Sequence, residues 1–522
     1  MMLPTTPFSP VRVLFLSVPD SDLLRFVEEV HAVVVGCPSL VGLVDADLDA
    51  HGLAKKTLRV ADAAWAAGQT ASLPGMALES GVIEPRRLEL LQGRPRTPGY
   101  VVLIAVFLRG YFGSGFKACD AATLMQESQT LHVFFANLGL EMPGQSTLTE
   151  LVNAVTNETR ERILDAQVAR VAGLGWDDFS TMLQDSTHVE GNTAWPTDSR
   201  LLVALVARML RIGASLPRLQ LPPIESPKVR RHLAAMTTLD REIELMPATR
   251  ERPRARRRRY EKLLWRARRV HNDLADTVAD VAVKLASLDV LPSRKAMALR
   301  AVERLQADLE ALAKVIENCK ARVIHETKVL MAEKLLSVSD PDVGFITKGQ
   351  RVPVIGYKPQ LARSGKGFIT GLLLPRGNAA DSGQLLPMVD EVVRRTGVVP
   401  KVISVDDGYA SRANMDALRA KKIEVISING AKGRALTARA DWNSDAYAQA
   451  RDDRSAVESL IFTLKQGFDF GEVARRGLNA AHGELLEKAL AYNICHMVRT
   501  RRALQDAATT TDDDAEGLRR IA

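Results

Sequence analysis

Cysteine is scarce in this 522-residue sequence: Cys37, Cys119, Cys319 and Cys495 are the only four, and they lie far apart. No two form a CxxC pair, so neither a zinc ribbon nor a disulfide framework underlies the fold. Such thiols fit a reducing cytoplasm. Aromatic residues are also few, at 5%, which suits a helix-rich protein built on Leu, Ala and Val. No apolar run approaches the roughly 20 residues that span a bilayer. The opening MMLPTTPFSPVRVLFLSV has one short apolar run, early prolines and no basic leader, which makes a poor signal peptide. The expectation is a soluble cytoplasmic protein with no membrane partner.

What is present is ordinary in bulk and uneven in detail. Hydrophobic residues at 46% and charged residues at 25% are globular values, and the length suggests two to four domains. The net charge is +8. Residues 250 to 269, RERPRARRRRYEKLLWRARR, hold eleven Lys or Arg against two Glu. That surplus exceeds the charge of the whole chain, so the remainder is near neutral. A segment this dense is either a solvated basic face or a grip on a polyanion. A grip would give an affinity that falls steeply with salt. Its candidate contacts are Arg254, Arg256, Arg257, Arg258, Arg259 and Arg266.

Along the chain the hydrophobic period changes several times. Residues 1–75 resist reading apart from a possible helix at LLRFVEEVHAVVV. Residues 76–175 read as helical. TPGYVVLIAVFLRGYF looks like a buried helix, and Ser146 or Thr147 with Glu150 has the spacing of a capping box. A second helix starting near Thr156 makes either a helix-turn-helix or a plain helical hairpin. DDFSTMLQDSTHVEG then reads as a strand with Asp185 near its end. Residues 201–335 return to long amphipathic helices, with Pro292 and Ser293 as stop and cap between two of them. RVPVIGYKPQLA and GFITGLLLP flank a hairpin loop. A helix closed by Gly397 follows, then a strand over 402–406, a helix, a strand and a helix containing Glu458. The polar run after 505 reads as a loose tail.

The strand VISVD ends on Asp406 and Asp407. An unpaired buried carboxylate is costly, so an Arg, backbone N–H groups or a metal must balance it. On the last helix, Val457, Leu460, Ile461 and Leu464 form the buried stripe. Arg451, Arg454, Glu458, Phe462 and Lys465 share a second face. Taken alone, that face is better explained by a solvated Arg–Glu pair. Asp185, Asp406 and Glu458 together, with no His or Cys, suit Mg²⁺ or Mn²⁺. Two such ions can assist displacement at phosphorus.

DSTHVEGNTAWPTDSRLL, VDDGYAS and the spacing of Arg454, Glu458 and Lys465 resemble, in order and in setting, the motifs of DDE-type insertion-sequence transposases. So does GFITGLLLPRGNAADSGQLLP. Arg451 stands where that signature has a tyrosine. The resemblance implies a mixed α/β ribonuclease-H-like catalytic core over 176–200 and 336–500. Beside that core, periodicity and composition place a helical basic insertion at 201–335, a helical region at 76–175 that a helix-turn-helix would make DNA-binding, and a flexible tail at 501–522. The resemblance further implies that Asp185, Asp406 and Glu458 are catalytic and hold Mg²⁺ or Mn²⁺, with Asp407 facing away. Arg454 and Lys465 would contact DNA. Trp195, beside Pro196 just after the first aspartate, is either a packing residue or one that stacks on a displaced base near the cut. The implied partners are double-stranded DNA, both element terminal inverted repeats and target, and a second copy in a homodimer. A nuclease that does not join strands, or an inactive DNA-binding relative, would carry much of the same pattern.

Overall fold

The structure is a computed structural model that describes residues 21–67, 97–113, 115–194, 197–246, 253–347 and 352–521. Trp195, Arg250 and Arg252 lie outside the described residues. The chain divides into two compact units. One comprises Met1–Asp49, Pro95–Asn192 and Asp342–Ala522, and the other Ala50–Arg94 and Thr193–Pro341.

The first unit begins with helices α1 (Ser21–Gly36), α2 (Ser39–Ala66, which continues into the second unit), α3 (Gly99–Phe112), α4 (Ala118–Glu127), α5 (Gln129–Asn137), α6 (Gln145–Ala154) and α7 (Asn157–Gly173). α3 is apolar on every side except at Arg109, and every residue from Gly99 to Gly110 is buried. No single helix among the described residues is long and apolar enough to cross a membrane. α6 starts three residues earlier than a Thr147–Glu150 capping box implies. Its N-cap is Gly144, without a side-chain cap, so Ser146 and Thr147 sit inside the first turn. Thr156 does cap α7, accepting from the Thr159 N–H.

The second unit is helical: α8 (Asp198–Gly213), α9 (Pro227–Glu244), α10 (Pro253–Ala286) and α11 (Pro292–Cys319). Leu205, Met209, Met236, Leu263, Val270, Leu305 and Leu312 share one core. These residues recur at helical spacing, and that recurrence makes four charged, amphipathic segments into a bundle. Pro292 opens α11 at its first turn, where its missing N–H costs nothing. Ser293 is not the cap: its own N–H donates to Asp62 Oδ1 at 2.9 Å. α11 also ends earlier than its periodicity predicts. It passes into a wide turn at Lys320–Ile324, and Glu326 adopts a left-handed φ of 54°.

Eight strands form two sheets among the described residues. They are β1 (Thr181–Ser186), β2 (Val189–Glu190), β3 (Gly344–Ile346), β4 (Val354–Tyr357), β5 (Gln360–Ser364), β6 (Ile369–Leu373), β7 (Val402–Asp406) and β8 (Val425–Asn429). The main sheet has the order β6-β5-β1-β7-β8. β1 and β6 run antiparallel to β5, while β7 is parallel to both β1 and β8. The run RVPVIGYKPQLA is therefore two strands. Pro359 has no N–H to donate to a ladder, and at Lys358–Pro359 the chain leaves the small sheet β2-β4-β3 for the main one.

Helices α12 (Leu385–Thr396) and α13 (Arg412–Ala420) cover the sheet face that carries Met182, Ile403, Val405 and Ile428. The remaining helices are α14 (Ala431–Leu436), α15 (Arg439–Trp442), α16 (Asp445–Asp453), α17 (Ser455–Gly467) and α18 (Leu478–Ile521). α17 packs on β1 and β5, and α18 on β6. The polar run after 505 is thus the continuation of α18, not a loose tail. This mixed sheet, flanked by helices, is compatible with a ribonuclease-H-like core.

α7 lies between α12 and α18 and buries Ile163, Leu164, Gln167, Val168 and Val171. Gly110 sets the approach of α3 to α18. A Cβ there would meet the Glu487 carbonyl oxygen at 2.0 Å. Gly110→Ala is expected to lower stability by about 2–3 kcal/mol through overpacking, read as a reduced midpoint in urea unfolding.

Candidate active site and nucleic-acid interface

β1 and β7 run side by side, with Leu183 opposite Ser404. Two residues further along that register, Asp185 and Asp406 stand at neighbouring strand ends. Asp185 is buried, and its Oδ1 accepts from the Ser186 N–H at 2.7 Å. Asp406 Oδ1 accepts from the Gly408 N–H at 2.9 Å and caps the short turn Asp407–Tyr409. Asp407 points elsewhere. Its Oδ1 accepts from the Gly433 N–H at 2.9 Å and holds the turn after β8.

α17 brings the third acid. Its buried stripe is Val457, Leu460 and Leu464, which turns Glu458 and Lys465 away from the sheet core. Arg454, just before α17, reaches both acids. Its Nη2 donates to Glu458 Oε1 at 2.5 Å, and its Nη1 stands 3.7 Å from Asp185 Oδ2. Arg451 is not part of this chain of contacts and pairs with Asp452. Lys465 Nζ lies 3.2 Å from His188 Nε2, and burial pulls its ammonium below the usual lysine range. A charged Lys465 donates to an unprotonated Nε2, which places the imidazole proton of a neutral His188 on Nδ1.

A fourth carboxylate belongs to the same cluster and was not singled out from the sequence. Asp381 lies in the turn before α12. Its Oδ1 accepts from Gln360 Nε2 at 2.8 Å and its Oδ2 from Lys358 Nζ at 2.9 Å. Burial works against its charge, but these two donors outweigh burial and hold it below the usual carboxylate range. A point one carbon off Gly408 is 3.0 Å from Asp406 Oδ1 and 3.2 Å from Asp381 Oδ2, so the two acids face the same small space. Tyr409 donates to Gln360 Oε1 beneath them. Burial, then the charges of Asp381, Asp185 and Asp406, push its phenol well above its usual range. The available signal was an acid in a Gly-Asn turn, RGNAADSG, between a strand and a helix.

The donor set is oxygen throughout, the chemistry of Mg²⁺ and Mn²⁺. Asp185 and Asp406 fit that role by position. Among the described residues no three acid, His or Cys side chains stand close enough together to enclose an ion. Glu458 is turned to Arg454 instead. Its side chain is 54% exposed, so another rotamer is open to it.

The basic segment lies on the first half of α10, in the second unit. Arg257 pairs with Glu261, Arg259 with Glu242 and Arg268 with Glu317. Arg266 Nη1 is 3.4 Å from His232 Nδ1. Arg256 is half-buried, while Arg254 and Arg258 are exposed. The candidate contacts are therefore unequal: several are already engaged within the bundle.

Residues 345–494 match the family model described as the transposase DDE domain. No curated protein and no solved structure shows significant similarity to the chain. The matched stretch holds Asp381, Asp406, Arg454, Glu458 and Lys465, and Asp185 reaches them from outside it through the pairing of β1. The chain therefore carries a transposase DDE domain, the domain of DDE-type insertion-sequence transposases.

Proposed function

We propose that the protein is a DNA transposase that binds the terminal repeats of its element, cuts there, and joins the freed end to target DNA. The observation that carries this reading is the convergence of Asp185 and Asp406 at adjacent strand ends, with Arg454 linking Asp185 to Glu458. In the first step a water oxygen attacks phosphorus, the bond from phosphorus to the 3′ oxygen breaks, and that oxygen leaves as a 3′-OH. In the second step the 3′-OH attacks a target phosphodiester, and the target's own 3′ oxygen leaves.

Asp185, Asp406 and Glu458 would hold Mg²⁺ or Mn²⁺. When bound, the ions supply positive charge to the attacking and leaving oxygens. Arg454 positions Glu458 relative to Asp185. Lys465, on the same helix face, would meet a phosphate oxygen. Lys358 offsets Asp381, so that its charge does not oppose that of Asp406. Exposed arginines of α10 would hold duplex DNA through phosphates, without reading sequence.

The test is incubation of the purified protein with Mg²⁺, labelled DNA ending in the element's repeats, and a target plasmid. Nicks at the repeat boundary together with joined products are expected. Nicks without joining would reduce the reading to a nuclease, and binding without nicks would overturn the catalytic assignment.

A further inference from the structure

The exposed face of α10 carries an arrangement that a plain charge run does not require. Arg254, Arg258, Lys262, Trp265 and Arg269 are all exposed. At 100° per residue they fall within a sector of about 80°, along about 22 Å of helix. Trp265 is 53% exposed. Arg266 and Arg269 stand over its ring at 5.8 and 5.5 Å, and His232 meets it edge-on at 5.8 Å. Arg258, Lys262 and Arg269 make no ion pair among the described residues, unlike Arg257, Arg259 and Arg268. The result is a cationic stripe interrupted by one ring that is held in place and left open to solvent.

We propose that this stripe is a binding site for an unpaired DNA strand, with Trp265 stacking on a nucleobase and Arg254, Arg258, Lys262 and Arg269 contacting the phosphates beside it. An indole can stack only on a base whose face is uncovered, and bases in a duplex cover one another. An anionic lipid surface would need several apolar side chains on the exposed face. Here Leu263, Leu264, Ala267, Val270 and Leu274 are buried in the bundle core, and Trp265 stands alone among cations. The proposal rests on the DNA-substrate part of the proposed function and is independent of the three acids.

The test is equilibrium binding by the full chain in EDTA, so that no cleavage intervenes. The probes are a single-stranded oligonucleotide, a blunt duplex of the same sequence, and vesicles containing phosphatidylserine. Trp265→Ala is expected to weaken single-strand binding about 5- to 150-fold, the range for loss of one stacked base. Trp265→Phe should retain most of the affinity, and blunt-duplex binding should change little. The single strand should also quench the Trp265 emission, read as the difference between wild type and Trp265→Phe. Lys262→Gln should reduce the salt slope on the single strand by about 0.7. Equal single-strand affinity of wild type and Trp265→Ala overturns the stacking assignment alone. So does binding to vesicles in preference to DNA. Failure of the wild type to bind either DNA probe overturns it together with the DNA-substrate reading. Unchanged thermal unfolding of Trp265→Ala separates lost contact from lost fold.

Discussion

Asp185→Asn and Asp406→Asn are each expected to lower Mg²⁺-dependent nicking at an element end by about 10³-fold or more, equivalent to ~4 kcal/mol of transition-state stabilisation. The size of the effect follows from what the carboxylates do. An amide keeps the shape and the hydrogen bonds. Asp185 would still accept from the Ser186 N–H, and Asp406 from the Gly408 N–H. What is lost is the negative charge that attracts and orients a divalent ion. The fold should therefore persist while the chemistry stops, and DNA binding in EDTA should be unchanged. Circular dichroism and thermal melting identical to wild type, beside absent nicks, is the pattern to look for. Nicking retained within tenfold in either variant would remove that residue from the site. Asp407→Asn serves as the control. Its carboxylate holds the turn at Gly433, so it should affect stability and leave the reaction rate near wild type.

Glu487→Gln is expected to destabilise the first unit by about 3–5 kcal/mol, the cost of leaving buried charges uncompensated. Glu487 sits in α18 with its side chain 1% exposed. Its carboxylate accepts from Arg109 Nε of α3 at 2.7 Å and from Arg160 Nε of α7 at 2.7 Å, and Arg475 also donates to it. One acid thus ties together guanidiniums from three parts of the chain, with Glu484 sharing Arg475. Burial alone would raise its pKa, but the three guanidiniums outweigh burial and hold it far below the usual carboxylate range. A depressed folded-state pKa means stability that is present above the unfolded value of about 4.3. It is lost progressively as pH falls below that value toward the folded pKa, because the unfolded chain takes up a proton that the native one refuses. Urea unfolding at a series of pH values should therefore show the wild type losing stability below about pH 4.3 more steeply than Glu487→Gln. Parallel curves would mean that the cluster does not carry this linkage.

Much of the catalytic half of the fold was legible because it obeys local rules. β7 and β8 are short runs rich in β-branched residues, and β7 ends on an acid. α17 has a clean apolar stripe, and Gly397 marks a helix end as expected. What escaped depends on partners distant in sequence. The register of β1 against β7, which brings Asp185 to Asp406, spans more than two hundred residues. Arg109 and Glu487 are separated further still and carry no local mark of their pairing. Asp381 carries no local mark of its partners in its turn, and only the fold brings Lys358 and Gln360 to it. α18 was missed as a core helix because its Ala-rich stretch, AAHGELLEKALAY, mixes buried Glu and Lys into the apolar face. Lys488 donates there to the carbonyls of Asp469 and Glu472, a satisfaction that no periodicity reveals. Trp265 was in view but lost within a charge run. Its signal was spacing from Arg254, Arg258, Lys262 and Arg269, and it becomes visible only when the buried stripe of the same helix is subtracted.

The central claim is that a strand outside the matched domain completes its site, and it is tested most directly by one measurement. Wild type and Asp185→Asn are incubated with DNA carrying the element's own terminal repeats, with Mg²⁺ and with EDTA, and nicks at the repeat boundary are counted. Boundary nicks by wild type in Mg²⁺ only, and none by the variant at equal DNA occupancy, are the predicted result. Boundary nicking by Asp185→Asn at the wild-type rate would contradict it.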